Sequence, residues 1–163
     1  MHIELKNKRL IFGKYRVKCA LGKRGISIKK REGDNITPRG TYKILNILYR
    51  KDRVSNIKTS LKKIEIKKNM GWCDDPKSKK YNKLIRFPFF FKAERLHKRK
   101  NIYDIIIILN YNLKPIIKNK GSAIFIHIAT QKYQKTKGCI AISKNNIIKL
   151  IDFIDKKSLI KIF

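Results

Sequence analysis

Two apolar runs of this chain carry residues that could do chemistry together. Ala123-Ile-Phe-Ile-His127-Ile alternates like a strand and delivers a histidine; after a polar loop, Thr136-Lys-Gly138-Cys139 opens a second apolar run. A cysteine becomes a good nucleophile when a nearby base or a positive potential favours its thiolate, and acyl transfer also needs donors for the oxyanion. His127 could accept the thiol proton. Gly138 lets the backbone turn sharply beside Cys139, so that amide N–H groups can face a reacting carbonyl. The loop over residues 130–137 is long enough to return the chain beside the strand. A hydrogen-bonded core histidine is the competing reading of His127.

The other two cysteines fit different roles. Cys19 shares one face of an alternating segment with Tyr15, Val17 and Leu21, which suits buried filler. Cys73 lies in Gly71-Trp-Cys-Asp-Asp-Pro76, with no base near it in sequence, and reads as packing or site lining. Three cysteines with no C-x-x-C pair indicate a single reactive thiol rather than a disulfide framework.

The elements that must position these residues are mostly strands. Residues 3–5, 10–12, 15–21 and 26–30 are short β-prone runs separated by Asn7-Lys8, Gly13 and the stretch from Gly22 to Gly25. Thr37-Pro-Arg-Gly40-Thr-Tyr leads into another strand, and residues 50–63 read as an excursion. Residues 69–100 read as a loop-rich insertion whose aromatic residues, including Phe87, Phe89, Phe90 and Phe91, either cover one side of a cleft or form a satellite cluster. Residues 103–110 and 123–129 are the most hydrophobic strands and are expected to be central. Ser143 can cap a helix on which Ile147, Leu150, Ile151 and Ile154 follow helical spacing, and residues 159–163 return to strand. The fold class is therefore mainly β with a C-terminal helix.

With 163 residues, the chain is long enough for one domain with a real core, and residues 1–163 are read as one unit. Its net charge of +31, from 42 basic and 11 acidic side chains, invites a nucleic-acid reading through counterion release. Against it, the basic residues are spread along the chain, Ile and Asn are abundant beside Lys as an A- and T-rich coding sequence would produce, and no recognition-module signature accompanies them. Non-specific attraction to anionic polymers or membrane surfaces is expected in any case. The first residues alternate like a strand and lack a continuous apolar run, so no targeting segment is visible: either the protein is cytoplasmic or this sequence lacks a leader that a precursor carries. No run reaches membrane-spanning length.

His127, Thr136, Gly138, Cys139 and Ile140 together resemble the signature of the L,D-transpeptidase catalytic domain, also called YkuD-like: a histidine on a strand, a variable loop, then Ser or Thr, usually His, Gly, Cys and an apolar residue. Thr37-Pro-Arg-Gly40 is similar to the family's T-P-x-G segment. Met70-Gly-Trp-Cys-Asp-Asp-Pro76, Tyr81-Asn82, Tyr103-Asp104 and Gly121-Ser-Ala-Ile-Phe-Ile-His127 resemble a branch of small, single-domain members, so the resemblance covers nearly the entire chain. Lys137 stands where the usual pattern has a second histidine, and Ala141 replaces a polar residue two positions after the cysteine.

The resemblance implies a β-sandwich or mixed-sheet catalytic domain that acts on peptidoglycan stem peptides. Cys139 would attack the amide after the L-centre and expel the terminal D-residue, and the acceptor would be an amine, giving a cross-link, or water, giving a carboxypeptidase. His127, held by a backbone carbonyl just after it, would move the proton, and the Gly138 and Cys139 amides would form the oxyanion hole. No metal or organic cofactor is implied. Trp72, Asp74 and Asp75 are candidates for a cleft wall and for amine or amide contacts; Thr136 and Lys137 are candidates for shaping the nucleophile's loop and supplying positive potential. A place in the periplasm or cell envelope is implied by the resemblance, in tension with the missing leader. A basic nucleic-acid-binding protein and a non-catalytic wall-binding domain are the alternatives.

Overall fold

The computed structural model describes residues 2–163. In chain order the strands are β1 (His2–Lys6), β2 (Arg9–Phe12), β3 (Tyr15–Lys18), β4 (Ile26–Ser27), β5 (Thr37–Pro38), β6 (Gly40–Tyr49), β7 (Lys62–Glu65), β8 (Met70–Cys73), β9 (Leu84–Arg86), β10 (Ala93–Arg95), β11 (Ile105–Leu109), β12 (Phe125–Ile128), β13 (Ile140–Ile142) and β14 (Leu159–Ile162). A short 3-10 turn at Asn101–Tyr103 precedes β11, and the helix α1 (Lys144–Phe153) follows β13. Among the described residues, no helix is long and apolar enough to cross a membrane.

One mixed sheet of nine strands runs in the order β13-β12-β11-β6-β14-β1-β2-β3, with β7 added alongside β6. The long strand β6 joins its halves: residues 40–43 pair with β14, and residues 44–49 pair with β11. Beyond β3 the chain meets the far end of the sheet, where Ala20 and Ala141 exchange hydrogen bonds of 2.8 and 2.9 Å. The sheet is thereby nearly closed into a barrel, which leaves little of its edge unpaired.

The inner face is filled by side chains spaced two apart on the strands, among them Ile3, Leu5, Leu10, Ile107, Ile126 and Ile140, all at most 0% exposed. The helix supplies Ile147, Leu150 and Ile151 to the same core. Its start is set by Ser143, whose hydroxyl accepts the Asn146 N–H at 3.4 Å. Cys19 is buried in this core, as the alternating pattern of its segment predicts.

On the outer face of β11 and β12 lies a second apolar cluster built from Leu48, Trp72, Leu96, Tyr103, Ile106 and Phe125, among others. It is covered by the segment read as loop-rich. That segment instead contains a three-stranded antiparallel sheet in the order β10-β8-β9. Strands of three or four residues interrupted by Pro, Asp and Gly are too short to display an alternation, which is why the pattern was not readable. Gly71 lies in this sheet because a Cβ there would meet Phe87 Cε2 at 2.6 Å and the Glu94 carbonyl at 3.0 Å.

Candidate active site

Strands β12 and β13 run parallel, with Ile126 opposite Ile140 and His127 opposite Ala141. Side chains alternate across a strand, so Ile126 and Ile140 enter the inner core while Cys139, just before β13, falls on the outer face with Phe125 and His127. Both candidate residues line one cleft of about 920 Å³. Its other walls include Lys29, Glu32, Asp74, Glu94, Tyr103 and Ser122.

The imidazole of His127 is 8% exposed, and its Nδ1 lies 3.0 Å from the Ile128 carbonyl. A carbonyl only accepts, so in the neutral ring Nδ1 carries the proton; the Ile102 carbonyl also lies against the ring. Tyr103 stands edge-on against the ring with centroids 5.3 Å apart. Burial lowers the pKa of His127 from its ordinary value, outweighing the Ile128 carbonyl, which works the other way.

Cys139 is half-buried and donates its thiol proton to the Ala123 carbonyl at 3.0 Å. Burial pushes the thiol up to about 12, opposed by the Phe125 amide and by the charge of Lys29. Burial thus works against the charged form of both side chains.

The turn before the thiol is built by Thr136 and Gly138. The Thr136 hydroxyl accepts the Gly138 N–H at 3.1 Å and donates to the Cys139 carbonyl at 2.6 Å. Gly138 has φ 143°, and a Cβ there would lie 2.9 Å from the Ile36 carbonyl, so both conformation and space demand glycine. With its amide given to Thr136, Gly138 offers no open donor in this state. Among the described residues no hydrogen bond is made by the Cys139 N–H, leaving that amide free to meet an oxyanion. Lys137 is exposed at the mouth of the cleft.

The remaining expected residues divide. Trp72 is 5% exposed and does not line the cleft; it packs edge-on against Phe125 at 5.1 Å and donates its indole N–H to Asn82 at 2.9 Å. Its place is beneath the site, because an indole with a buried partner for its N–H is at home in a core. Asp75 lies at the cleft, but its carboxylate caps the loop by accepting the Lys77 and Lys92 amides at 3.0 and 3.3 Å. Asp74 faces the cleft with a buried Oδ1 that has no partner, while Oδ2 lies 3.6 Å from the exposed Lys92 ammonium. Burial raises its pKa, with Lys92 opposing and Glu32 and Glu94 reinforcing. The phenylalanines do not cover this cleft: Phe89 lines a separate cavity and Phe90 stands in solvent.

Several residues that shape the site have no role assigned by sequence alone, although Tyr81-Asn82 belongs to the family resemblance. Glu94 sits in the charged run Lys92-Ala-Glu-Arg, yet it faces the cleft and accepts from Lys98 at 2.9 Å. Asn82, 1% exposed, holds four groups: its Oδ1 accepts from Trp72 and from the Ala123 N–H at 3.1 Å, and its Nδ2 donates to the Tyr111 and Asn112 carbonyls at 3.3 and 2.7 Å. Asn82 thereby fixes the residue whose carbonyl receives the thiol. Lys29 forms a buried ion pair with Asp34, which also accepts the Lys30, Arg31 and Ile36 amides. Burial works to raise the Asp34 carboxyl, but those donors outweigh it and hold it at about 2. The sequence Gly33-Asp-Asn35 marks only a turn; the long reach of Lys29 back to it shows in the fold.

A near-closed mixed sheet thus brings a thiol and a histidine to one polar cleft. The family model described as YkuD, L,D-transpeptidase catalytic domain, matches residues 2–162, and the chain belongs to that family. Members are cysteine-dependent L,D-transpeptidases that act on peptidoglycan stem peptides. No curated protein matches this chain.

Proposed function

We propose that residues 1–163 act as a single catalytic domain that carries out cysteine-dependent acyl transfer on peptidoglycan stem peptides, with Cys139 as nucleophile and His127 as its base. The observation that carries this reading is the placement of the two side chains on one face of neighbouring strands at a common cleft, with Nδ1 of His127 tied to the Ile128 carbonyl.

Because the thiol is pushed up and the imidazole down, proton transfer between them is uphill in the free protein and proceeds with attack on the substrate carbonyl. The S–H proton passes to Nε2 as the S–C bond forms. The carbonyl oxygen gains charge facing the Cys139 amide, a donor that matters most where water is excluded. The C–N bond then breaks and the departing amine of the D-residue takes the proton from the imidazolium. In the second half-reaction an acceptor amine attacks the thioester, gives a proton to His127, and the thiol is restored. The one carboxylate oxygen of the cleft wall that is buried without a partner, Asp74 Oδ1, offers an acceptor amine a hydrogen-bond acceptor that water would also use, so amine and water remain the two acceptors the test separates.

The test is incubation with a disaccharide tetrapeptide. Release of the terminal D-amino acid with formation of a cross-linked dimer, both abolished in Cys139→Ala, is the expected result. A folded wild-type protein that releases no D-residue refutes the proposal, and release with tripeptide as the only product assigns water as the acceptor.

A further inference from the structure

Phe90 is 96% exposed, far beyond any other large apolar side chain of the described residues. It belongs to a built platform. The rings of Phe89 and Phe90 both lean on Phe91, with centroids 6.0 and 5.4 Å away, and the Arg95 guanidinium lies 4.1 Å from the centre of Phe87. Both ends of the segment are tied down: the Phe87 N–H donates to the Asn69 carbonyl at 2.7 Å, and the Lys92 N–H donates to Asp75 at 3.3 Å. Beside it, Leu84 is 37% exposed at the mouth of an open cavity of about 560 Å³ lined by Ile64, Met70, Ile85 and Phe89.

The surrounding charge is mostly positive. Residues 79–100 carry nine Lys and Arg against Glu94 alone, which is paired with Lys98; of the nearby carboxylates, Glu65 at the cavity is paired with Lys67 and Asp74 faces Lys92. Lys80, Lys83, Arg86, Lys92 and Arg95 are all exposed around the aromatic tip. A second copy of this chain is a poor occupant, because each copy carries +31 and repels the other. A neutral glycan would leave the cations unanswered. A protruding apolar wedge ringed by Lys and Arg matches an anionic lipid surface, whose headgroup phosphates meet the cations while the acyl boundary takes the wedge.

We propose that the face formed by Phe90, Phe89 and Leu84 with its ring of Lys and Arg docks this protein on anionic phospholipid bilayers. Because the platform is anchored to Asp75 on the wall of the cleft, docking holds the cleft next to that surface. The inference is independent of the acyl-transfer chemistry, and Cys139→Ala is expected to dock as the wild type does.

The test is co-sedimentation of the full chain with phosphatidylcholine vesicles, with and without phosphatidylglycerol. Net charge alone draws any form of the protein to phosphatidylglycerol, so the decisive variants are at Phe90, whose exposure makes substitution harmless to folding. Phe90→Ser is expected to weaken binding to the anionic vesicles about tenfold. Phe90→Trp is expected to keep it, with a blue shift of the introduced indole on vesicle addition, against a constant signal from the buried Trp72. Equal binding by Phe90→Ser, or no shift in Phe90→Trp, would overturn the proposal and leave only diffuse electrostatic attraction. So would an equal tenfold loss by Phe90→Ser toward a single-stranded oligonucleotide, which would mark the platform as a base-stacking surface.

Discussion

Replacing Asn82 with alanine tests whether one buried amide holds the wall behind the thiol. The native side chain is 1% exposed and makes four hydrogen bonds, to Trp72, Ala123, Tyr111 and Asn112. Each neutral bond is worth about 1 kcal/mol net, and buried groups left unpaired cost about 1–3 kcal/mol apiece. Asn82 also has φ 55°, a conformation that asparagine tolerates and alanine resists by about 1 kcal/mol. Water entering the vacated space would satisfy part of the loss, so the net destabilisation is expected at about 3 kcal/mol, a large share of the roughly 5–15 kcal/mol that keeps such a domain folded. Urea unfolding at constant m-value measures it. The same change frees the Ala123 segment, so the Cys139 thiol loses its fixed acceptor and its alkylation rate should change in the fraction that stays folded. A loss below about 1 kcal/mol, with Cys139 reactivity unaltered, would refute the reasoning that Asn82 joins the core under Trp72 to the nucleophile.

Other consequences follow from the charges and the tight turn. Since burial raises the Cys139 thiol to about 12 and lowers His127, iodoacetamide labelling of Cys139 in the free protein should climb steadily from pH 6 to pH 10; a plateau across that range would indicate a preformed thiolate–imidazolium pair. For His127 the folded state disfavours the charged ring, so its contribution to stability is complete above the unfolded value of about 6.5 and is lost as pH falls through the lowered folded value; His127→Gln should flatten that part of the stability–pH curve. Asp34→Asn strands the buried Lys29 ammonium and should cost about 3–5 kcal/mol, while pairing it with Lys29→Met should recover most of the loss; equal single- and double-variant stabilities would contradict the ion pair's role. Gly138→Ala, forced against the Ile36 carbonyl at positive φ, should destabilise by about 2 kcal/mol and slow Cys139 acylation, and a variant as stable and reactive as wild type would refute the turn geometry.

Much of this was legible in the residues because the relevant patterns are local. Helical spacing after Ser143 marks α1, and the apolar runs at residues 105–109 and 125–128 mark the strands that flank the cleft. Gly138 announces a turn that only glycine can make. What escaped is set by tertiary contact. Three strands of the segment at residues 69–100 are too short to show a period, and an aromatic in a loop-like sequence, Trp72, proves to be core because Phe125 and Asn82 meet it there. Glu94 and Tyr103 join the site only when β10 and the turn before β11 fold over β12. The surplus of lysine, which taken alone suggests a polyanion partner, gives no hint that Glu32, Asp74, Asp75 and Glu94 meet at one cleft from three separate segments.

The most direct test of the account is the intact mass of the protein after exposure to a carbapenem. A thiolate that attacks the β-lactam carbonyl opens the ring and keeps every atom of the compound. The account predicts a mass increase of one carbapenem per chain, mapped by peptide digestion to Cys139 and absent from the buried Cys19 and Cys73. It also predicts that His127→Ala slows the increase by at least about a hundredfold. An unmodified wild-type protein, or a label on Cys19 or Cys73 in place of Cys139, would contradict it.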